Sequence, residues 1–112
     1  MRRNQLYLSQ PYPVERALKA LGDNLRTARI RRGLTRSEAA QKIGTGLRAV
    51  MDAEKGNPFT GMAVYAALLW LYDLLPAFDD LANPVKDAHG LALARRKQPV
   101  RARKARGLDN DF

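Results

Sequence analysis

The apolar positions of this chain recur at intervals of three and four residues, which is the spacing of helices that bury one face. The first such helix is predicted between Pro13 and Arg32. Pro13 suits its first turn, where the missing N–H would have no partner in any case. Gly22 interrupts the pattern, so we expect the helix to be kinked or divided there. The apolar residues on its inner face are Ala17, Leu18, Leu21, Leu25 and Ala28.

A shorter helix is predicted from Thr35 to Gly44. The Thr35 hydroxyl can accept a hydrogen bond from the Glu38 backbone while the Glu38 side chain returns to the Thr35 amide, an arrangement known as a capping box. Gly44 is expected to end the helix, because glycine adopts a left-handed backbone without steric cost. Ala39 and Ala40 are small enough to let a second helix cross closely.

A third helix is expected after the turn Thr45-Gly46 and before Gly56, with Val50 and Ala53 on its buried side. Two short helices joined by a glycine-containing turn are typical of the helix-turn-helix, whose second helix enters the DNA major groove. The alternative is an ordinary helical hairpin inside an unrelated bundle. The residues on the other faces of the third helix are Leu47, Arg48, Met51, Asp52 and Lys55.

A fourth helix begins at Thr60 or Gly61 and is apolar on nearly every side from Met62 to Leu71. Such a helix requires burial on more than one side. We therefore expect one side to face the core of the domain and the other to face a second copy of the chain. Pro76 starts a short fifth helix, which Asn83-Pro84 ends.

Charge is distributed unevenly over these elements. The chain has 20 Lys and Arg against 11 Asp and Glu, a balance that favours a polyanionic partner. Ten basic and four acidic residues give +6 over residues 16–55, one and four give −3 over residues 56–94, and seven and two give +5 over residues 95–112. The first block suits contact with phosphate, and the second suits contact with a protein.

Enzymatic chemistry finds little support. The single histidine, His89, stands in a polar stretch, and the adjacent Asp79 and Asp80 point to different sides of a helix, so they make a poor acid–base pair. The chain has no cysteine, no phosphate-binding glycine loop and no metal-ligand spacing, so we expect neither an enzyme nor a cofactor. Polar residues follow Met1-Arg2-Arg3 and no apolar run is long enough to span a bilayer, so we expect a cytoplasmic protein without membrane contact.

Residues 21–81 resemble the lambda-repressor-like, Xre-type helix-turn-helix domain. The resemblance implies an all-α, five-helix domain, which we place at residues 13–84, and it implies dimerisation on DNA. We expect residues 1–12 to form a flexible arm and residues 85–112 a flexible basic tail. The matching residues are Leu25-Arg26-Thr27-Ala28-Arg29, Gly33-Leu34-Thr35, Glu38-Ala39-Ala40, Ile43-Gly44, Val50 and Glu54-Lys55-Gly56.

The resemblance also implies a structural ion pair. Arg29 and Glu54 stand where such domains often place an arginine of the first helix against a glutamate at the end of the DNA-contacting helix. This pair would hold the DNA-contacting helix in position. The alternative is two independent surface charges.

Position along the DNA-contacting helix predicts the contacts of individual residues. Arg48, in the first turn, can donate two hydrogen bonds to guanine, and Leu47 can touch a thymine methyl group. Asp52 is expected either to accept a hydrogen bond from cytosine or to pair with Arg48 one turn away. Phosphate contacts are expected from Arg36, Thr45, Gly46, Lys55 and Asn57.

The basic tail lacks apolar periodicity between Arg95 and Arg106, so we expect it to be disordered when free. It is a solvated extension, a DNA backbone or minor-groove contact, or a docking segment for a protein. The segment 107–112 ends on an apolar residue after acidic ones and is a candidate recognition element. The basic residues of the tail are Arg95, Arg96, Lys97, Arg101, Arg103, Lys104 and Arg106.

Together these patterns lead us to expect a sequence-specific repressor that binds a palindromic operator as a homodimer. The layout of a compact domain and a short tail is similar to that of HipB-like antitoxins, which are encoded beside HipA-like kinase toxins. That similarity implies an antitoxin of a type II toxin-antitoxin pair that represses its own operon and binds the toxin through the acidic segment or the tail. The alternative is a stand-alone regulator that needs only DNA.

Overall fold

The computed structural model describes residues 5–97, and within this range all regular structure is helical, with no strand. The prediction of an all-α protein is therefore confirmed for the described residues. The chain divides into two compact units, Met1–Phe78 and Asp79–Phe112. The elements are α1 (Gln5–Leu8), α2 (Tyr12–Arg31), α3 (Arg36–Ile43), α4 (Leu47–Glu54), α5 (Met62–Leu71), α6 (Leu75–Asp79), a 3-10 turn (Pro84–Lys86) and α7 (residues 88–97).

Helix α2 is one continuous helix of 20 residues with a proline in its first turn, so the expected division at Gly22 is wrong. Gly22 instead allows a close approach to the end of α4. A Cβ atom at Gly22 would lie 2.6 Å from the carbonyl oxygen of Glu54, and one at Gly56 would lie 2.5 Å from that of Leu18. The backbones of α2 and of the residues that end α4 thus meet without side chains between them.

The ends of α3 are those that the sequence predicts. Thr35 Oγ1 accepts a hydrogen bond from Glu38 N at 3.0 Å, and Thr35 N donates to Glu38 Oε1 at 2.8 Å, which completes the capping box. These two bonds from Thr35 hold the pKa of Glu38 below its ordinary value. Gly44 ends the helix with a left-handed backbone, at φ 79°.

The core of the first unit lies where α4 packs against α2, α3 and α5. Ala39 and Ala40 of α3 and Ala53 of α4 are buried, and their small side chains let the two helices approach. Arg32, just after α2, donates from Nη2 to the Tyr72 carbonyl at 2.8 Å and lies over the Tyr72 ring. The buried hydrophobic residues are Leu25, Ala28, Ala39, Ala40, Val50, Ala53, Tyr65, Leu68 and Tyr72.

The segment expected to be a flexible arm contains a helical turn, α1. Its Tyr7 ring stacks on Phe59, with the ring centroids 5.1 Å apart. Gln10 closes the turn, since its side chain donates to the carbonyls of Leu6 and Tyr7. Aromatic stacking of this kind stabilises a short segment that has too few residues to form a stable helix alone.

Residues 85–97 also differ from the expected flexible tail, because they include the rest of the 3-10 turn Pro84–Lys86 and α7. Asn83 Oδ1 accepts from Val85 N at 2.9 Å, and Asp87 Oδ1 accepts from Gly90 N at 2.9 Å at the start of α7. The composition of α7 is rich in Ala, Leu, Arg and Lys, all strong helix formers. Capping and propensity therefore produce this helix where apolar periodicity gives no signal.

Candidate nucleic-acid interface

Helix α4 is buried along one side and exposed at its first turn. Val50 and Ala53 are completely buried, whereas Arg48 is exposed and Leu47 keeps 46 % of its surface accessible. Gly46 precedes the helix with an extended backbone and no capping side chain. The backbone N–H groups at this end therefore have no side-chain cap, and the exposed Arg48 belongs to the same turn.

The other end of α4 is held by the ion pair expected from the sequence. Arg29 donates from Nε to Glu54 Oε2 at 2.6 Å and from Nη2 to Glu54 Oε1 at 3.1 Å. Both side chains are buried, with 8 % and 3 % of their surface exposed. Arg29 Nη1 also donates to the carbonyl of Leu34 at 2.8 Å. One arginine of α2 thereby fixes both the end of α4 and the chain just before α3.

The hydrogen bond with Glu54 raises the pKa of Arg29, against the opposing effect of burial. The Arg29 guanidinium is therefore charged in the folded protein, and each side chain satisfies hydrogen-bonding groups of the other. A bidentate pair of this kind fixes direction as well as distance, because the guanidinium fork matches the carboxylate. The orientation of α4 relative to α2 is set by directed bonds in addition to apolar packing.

Arg36, expected as a phosphate contact, joins the same carboxylate. Its Nε donates to Glu54 Oε1 at 3.0 Å, while 43 % of its side chain remains exposed. Two guanidinium groups, those of Arg29 and Arg36, thus share one carboxylate, and the cluster keeps a net charge of +1. The sequence did not indicate this contact, because nothing local links the first residue of α3 to the last residue of α4.

The two alternatives for Asp52 are distinguished in part. Within residues 5–97 no ion pair joins Arg48 to Asp52. Asp52 is half-buried, and its carbonyl accepts from the backbone N–H groups of Lys55 and Asn57. Burial raises the pKa of Tyr65, and the charge of Asp52 adds to that rise. Asp52 therefore lies close to the buried Tyr65, and Arg48 is left without this partner.

Lys55 and Asn57, the last two expected phosphate contacts, differ in their surroundings. Lys55 is exposed directly after α4. Asn57 is half-buried, and its Oδ1 accepts from Phe59 N at 2.8 Å. Its carbonyl accepts from the hydroxyl of Tyr65 at 3.0 Å. Asn57 thus shapes the loop before α5, a role that its position in the sequence did not reveal.

Thr45, half-buried, and Gly46, exposed, form the turn between α3 and α4 as expected, and Thr45 N donates to the Ala40 carbonyl at 2.9 Å. The residues of α3, the turn and α4 that were predicted to contact DNA thus all belong to the first unit.

The sequence patterns did not predict the close approach of Gly22 to the end of α4. A glycine in the middle of an apolar helical face was the available signal, since such a glycine often marks close packing.

The remaining candidates belong to the basic tail. Arg95, Arg96 and Lys97 are exposed on α7 in the second unit, and the tail residues Arg101, Arg103, Lys104 and Arg106 lie outside the described residues. In the described part of the chain, no three His, Asp or Glu side chains gather to hold a metal ion. No helix there is long and apolar enough to cross a membrane.

Comparison with protein-family models, with curated proteins and with solved structures gives no match for this chain.

Proposed function

We propose that this protein is a sequence-specific DNA-binding repressor with a lambda-repressor-like, five-helix fold, in which α3 and α4 form the helix-turn-helix and α4 enters the major groove. The observation that carries the proposal is the contrast between the two ends of α4. Its end is fixed by the buried pair of Arg29 and Glu54, and its first turn presents Leu47 and Arg48 to solvent. A DNA-contacting helix needs both properties: it must be held rigidly by the rest of the domain, and its side chains must be exposed at its N-terminal end.

Charge supports the same proposal. The segment that contains α2, α3 and α4 has a net charge of +6, counted over residues 16–55. The cluster of Arg29, Glu54 and Arg36 keeps one positive charge at the start of α3. Nonspecific attraction to the phosphate backbone requires such an excess, because it is driven by release of counterions from DNA.

The proposed contacts divide between bases and phosphates. Arg48 donates to guanine, and Leu47 touches a thymine methyl group. Asp52, half-buried near Tyr65, is a weaker candidate for cytosine than its position in the sequence suggested. Asn57 uses its amide N–H groups for phosphate, since its side-chain oxygen bonds Phe59 N. The other proposed phosphate contacts are Arg36, Thr45, Gly46 and Lys55.

Selection from a pool of randomised DNA duplexes tests the proposal directly. We expect enrichment of one palindromic sequence, because a homodimer presents two copies of α4 to successive major grooves. The logarithm of the association constant for that sequence should fall linearly with the logarithm of salt concentration. Equal affinity for the selected duplex and for a scrambled duplex of the same length would overturn the proposal.

A second part of the proposal concerns a protein partner. We propose that the protein is the antitoxin of a HipA-like kinase toxin and represses its own operon; a stand-alone repressor is the alternative. Support comes from the second unit, which begins with the acidic Asp79 and Asp80 and exposes the apolar Leu81 and Val85. Co-expression with the adjacent gene tests it: a stoichiometric kinase-like protein should co-purify with the full chain, and a version lacking residues 79–112 should lose it. Purification without a partner favours the stand-alone repressor.

A further inference from the structure

Helix α5 has two apolar faces, of which the core covers only one. The covered face carries Tyr65 and Leu68, both buried. On the opposite face Met62 is 67 % exposed and Trp70 is 62 % exposed. Residues spaced three and four apart share a side of a helix, so this outer face is a continuous strip. We call it the outer α5 face; its residues are the exposed Met62, Ala63 and Trp70 and the half-buried Ala66 and Ala67.

The surroundings of the outer α5 face argue for a second copy as its occupant. The chain has a net charge of +9, yet residues 56–72 contain no Asp, Glu, Lys or Arg. Two copies of so basic a protein repel one another over most of their surfaces. The uncharged segment is where they can approach at the lowest electrostatic cost. A nucleic acid, in contrast, would find no cation on this helix to neutralise its phosphates.

The shape of the outer α5 face adds a second argument, because the face is complementary to itself in one orientation. It is small in the middle, at Ala66, and bulky at both ends, at Met62 and Trp70. We infer that α5 pairs antiparallel with α5 of a second copy about a two-fold axis at Ala66. Met62 of each copy then faces Trp70 of the other, where a thioether contacts an aromatic ring favourably. A parallel pair would set the two bulky Trp70 rings against each other and leave space beside Met62.

The size of this face sets the strength of the association. Ten residues make a helix about 15 Å long, and a single helix pair of that length buries less than the roughly 800 Å² per partner of a standard interface. We therefore expect a reversible dimer with a dissociation constant in the micromolar range. This dimer is the homodimer of the proposed function, and measuring it requires no DNA, so the two proposals can fail separately.

Trp70 reports on the dimer because it is the only tryptophan of the chain. We expect its emission to shift to shorter wavelength as the full chain is concentrated, in step with a rise from one to two chains in sedimentation velocity. Met62→Glu should abolish both changes, and it is compatible with the helix because an acidic residue is favourable in the first turn. The matched control is Tyr12→Glu, which alters a side chain 71 % exposed on α2 and should leave both changes intact.

A cysteine scan tests the antiparallel register. The chain contains no cysteine, so Ala66→Cys places the only thiols of the dimer on the two-fold axis, within reach of a disulfide. Mild oxidation should give a covalent dimer for Ala66→Cys and not for Ser37→Cys on the exposed side of α3. A chain that stays monomeric at all concentrations would overturn the inference. So would a dimer that survives Met62→Glu, or emission already at short wavelength in the monomer, which would mean that the chain itself covers Trp70.

Discussion

Arg29 and Glu54, 25 residues apart in the sequence, form a buried ion pair with two hydrogen bonds, at 2.6 and 3.1 Å. The pair joins α2 to the last residue of α4 and lies beside the backbone contact of Gly22 with the same turn. The ion pair and the close backbone packing therefore both hold the last turn of α4 in place, whereas its first turn is exposed to solvent.

Breaking this pair should destabilise the protein strongly. Arg29→Met leaves Glu54 buried with only the half-exposed Arg36 as partner, and we expect a loss of about 3–5 kcal/mol in the free energy of unfolding. The double variant Arg29→Met/Glu54→Leu should recover most of that loss, because no buried charge remains. Urea unfolding of the two variants and the wild type measures the difference. A loss below about 1 kcal/mol for Arg29→Met would indicate a pair no stronger than an exposed one.

Gly22 should tolerate no side chain. A Cβ atom there would lie 2.6 Å from the Glu54 carbonyl oxygen and 2.8 Å from that of Ala53, both backbone atoms that cannot move independently. We expect Gly22→Ala to lower the free energy of unfolding by about 1–3 kcal/mol through overpacking. Gly61→Ala is the control, because its Cβ would have no neighbour within 4 Å. Equal unfolding midpoints in urea for the two variants would contradict the close approach.

The sequence predicts best those features whose causes are local. Both ends of α3 were predicted correctly, the first from the capping box of Thr35 and Glu38 and the second from the left-handed Gly44. Each of these features depends only on residues within one turn. The bond from Arg36 to Glu54 spans 18 residues. It depends on how α3 and α4 cross, which local patterns do not specify.

Helix α7 shows a limit of another kind. The sequence patterns predicted a flexible tail from residue 85, yet residues 88–97 are helical. This helix arises from intrinsic propensity and from the cap that Asp87 provides to Gly90 N. The helix-forming composition and the capping aspartate were both present in the sequence. The leucines of this helix are exposed on different sides, however, so the helix has no hydrophobic face by which periodicity could predict it.

Tyr72 should make stability depend on alkaline pH. Its ring is completely buried, and this burial, together with the charge of Glu54, raises the pKa of its hydroxyl above the ordinary 10.0. The unfolded chain therefore loses the proton first as the pH rises, so the contribution of Tyr72 to the free energy of unfolding is constant below about pH 10 and falls above it. Unfolding curves for wild type and Tyr72→Phe across this range should show a weaker fall in the variant, with Tyr65 causing the remainder.

The same substitution should stabilise the protein at neutral pH. Among the described residues the Tyr72 hydroxyl has no hydrogen-bond partner, and burial of an unpaired hydroxyl costs about 1–3 kcal/mol. Tyr72→Phe should therefore raise the urea midpoint at pH 7. A lower midpoint would contradict this expectation, because it would mean that the hydroxyl makes a stabilising bond.

Arg36 should contribute more to DNA affinity than to stability. Its bond to Glu54 is half-exposed, and such pairs contribute at most about 1 kcal/mol. If Arg36 also neutralises one phosphate, Arg36→Ala should reduce the slope of affinity against salt by about one. Lys42→Ala, which removes the same charge at the far end of α3, should leave that slope unchanged. An unchanged slope for Arg36→Ala would assign this residue to the fold alone.

Arg48 and Lys55 should separate specific from nonspecific binding. Arg48 is exposed in the first turn of α4 without an ion pair to Asp52, so its guanidinium can donate both bonds to a guanine; Lys55 lies beyond the last turn. Arg48→Ala should cost about 1–3 kcal/mol on the selected operator and relax the preference at one base pair. Lys55→Ala should weaken binding to operator and scrambled duplexes by the same factor. Titration of both variants against both duplexes at fixed salt gives the comparison. If Arg48→Ala also lowered both affinities equally, Arg48 would be a phosphate contact and the bases would be recognised from another part of α4.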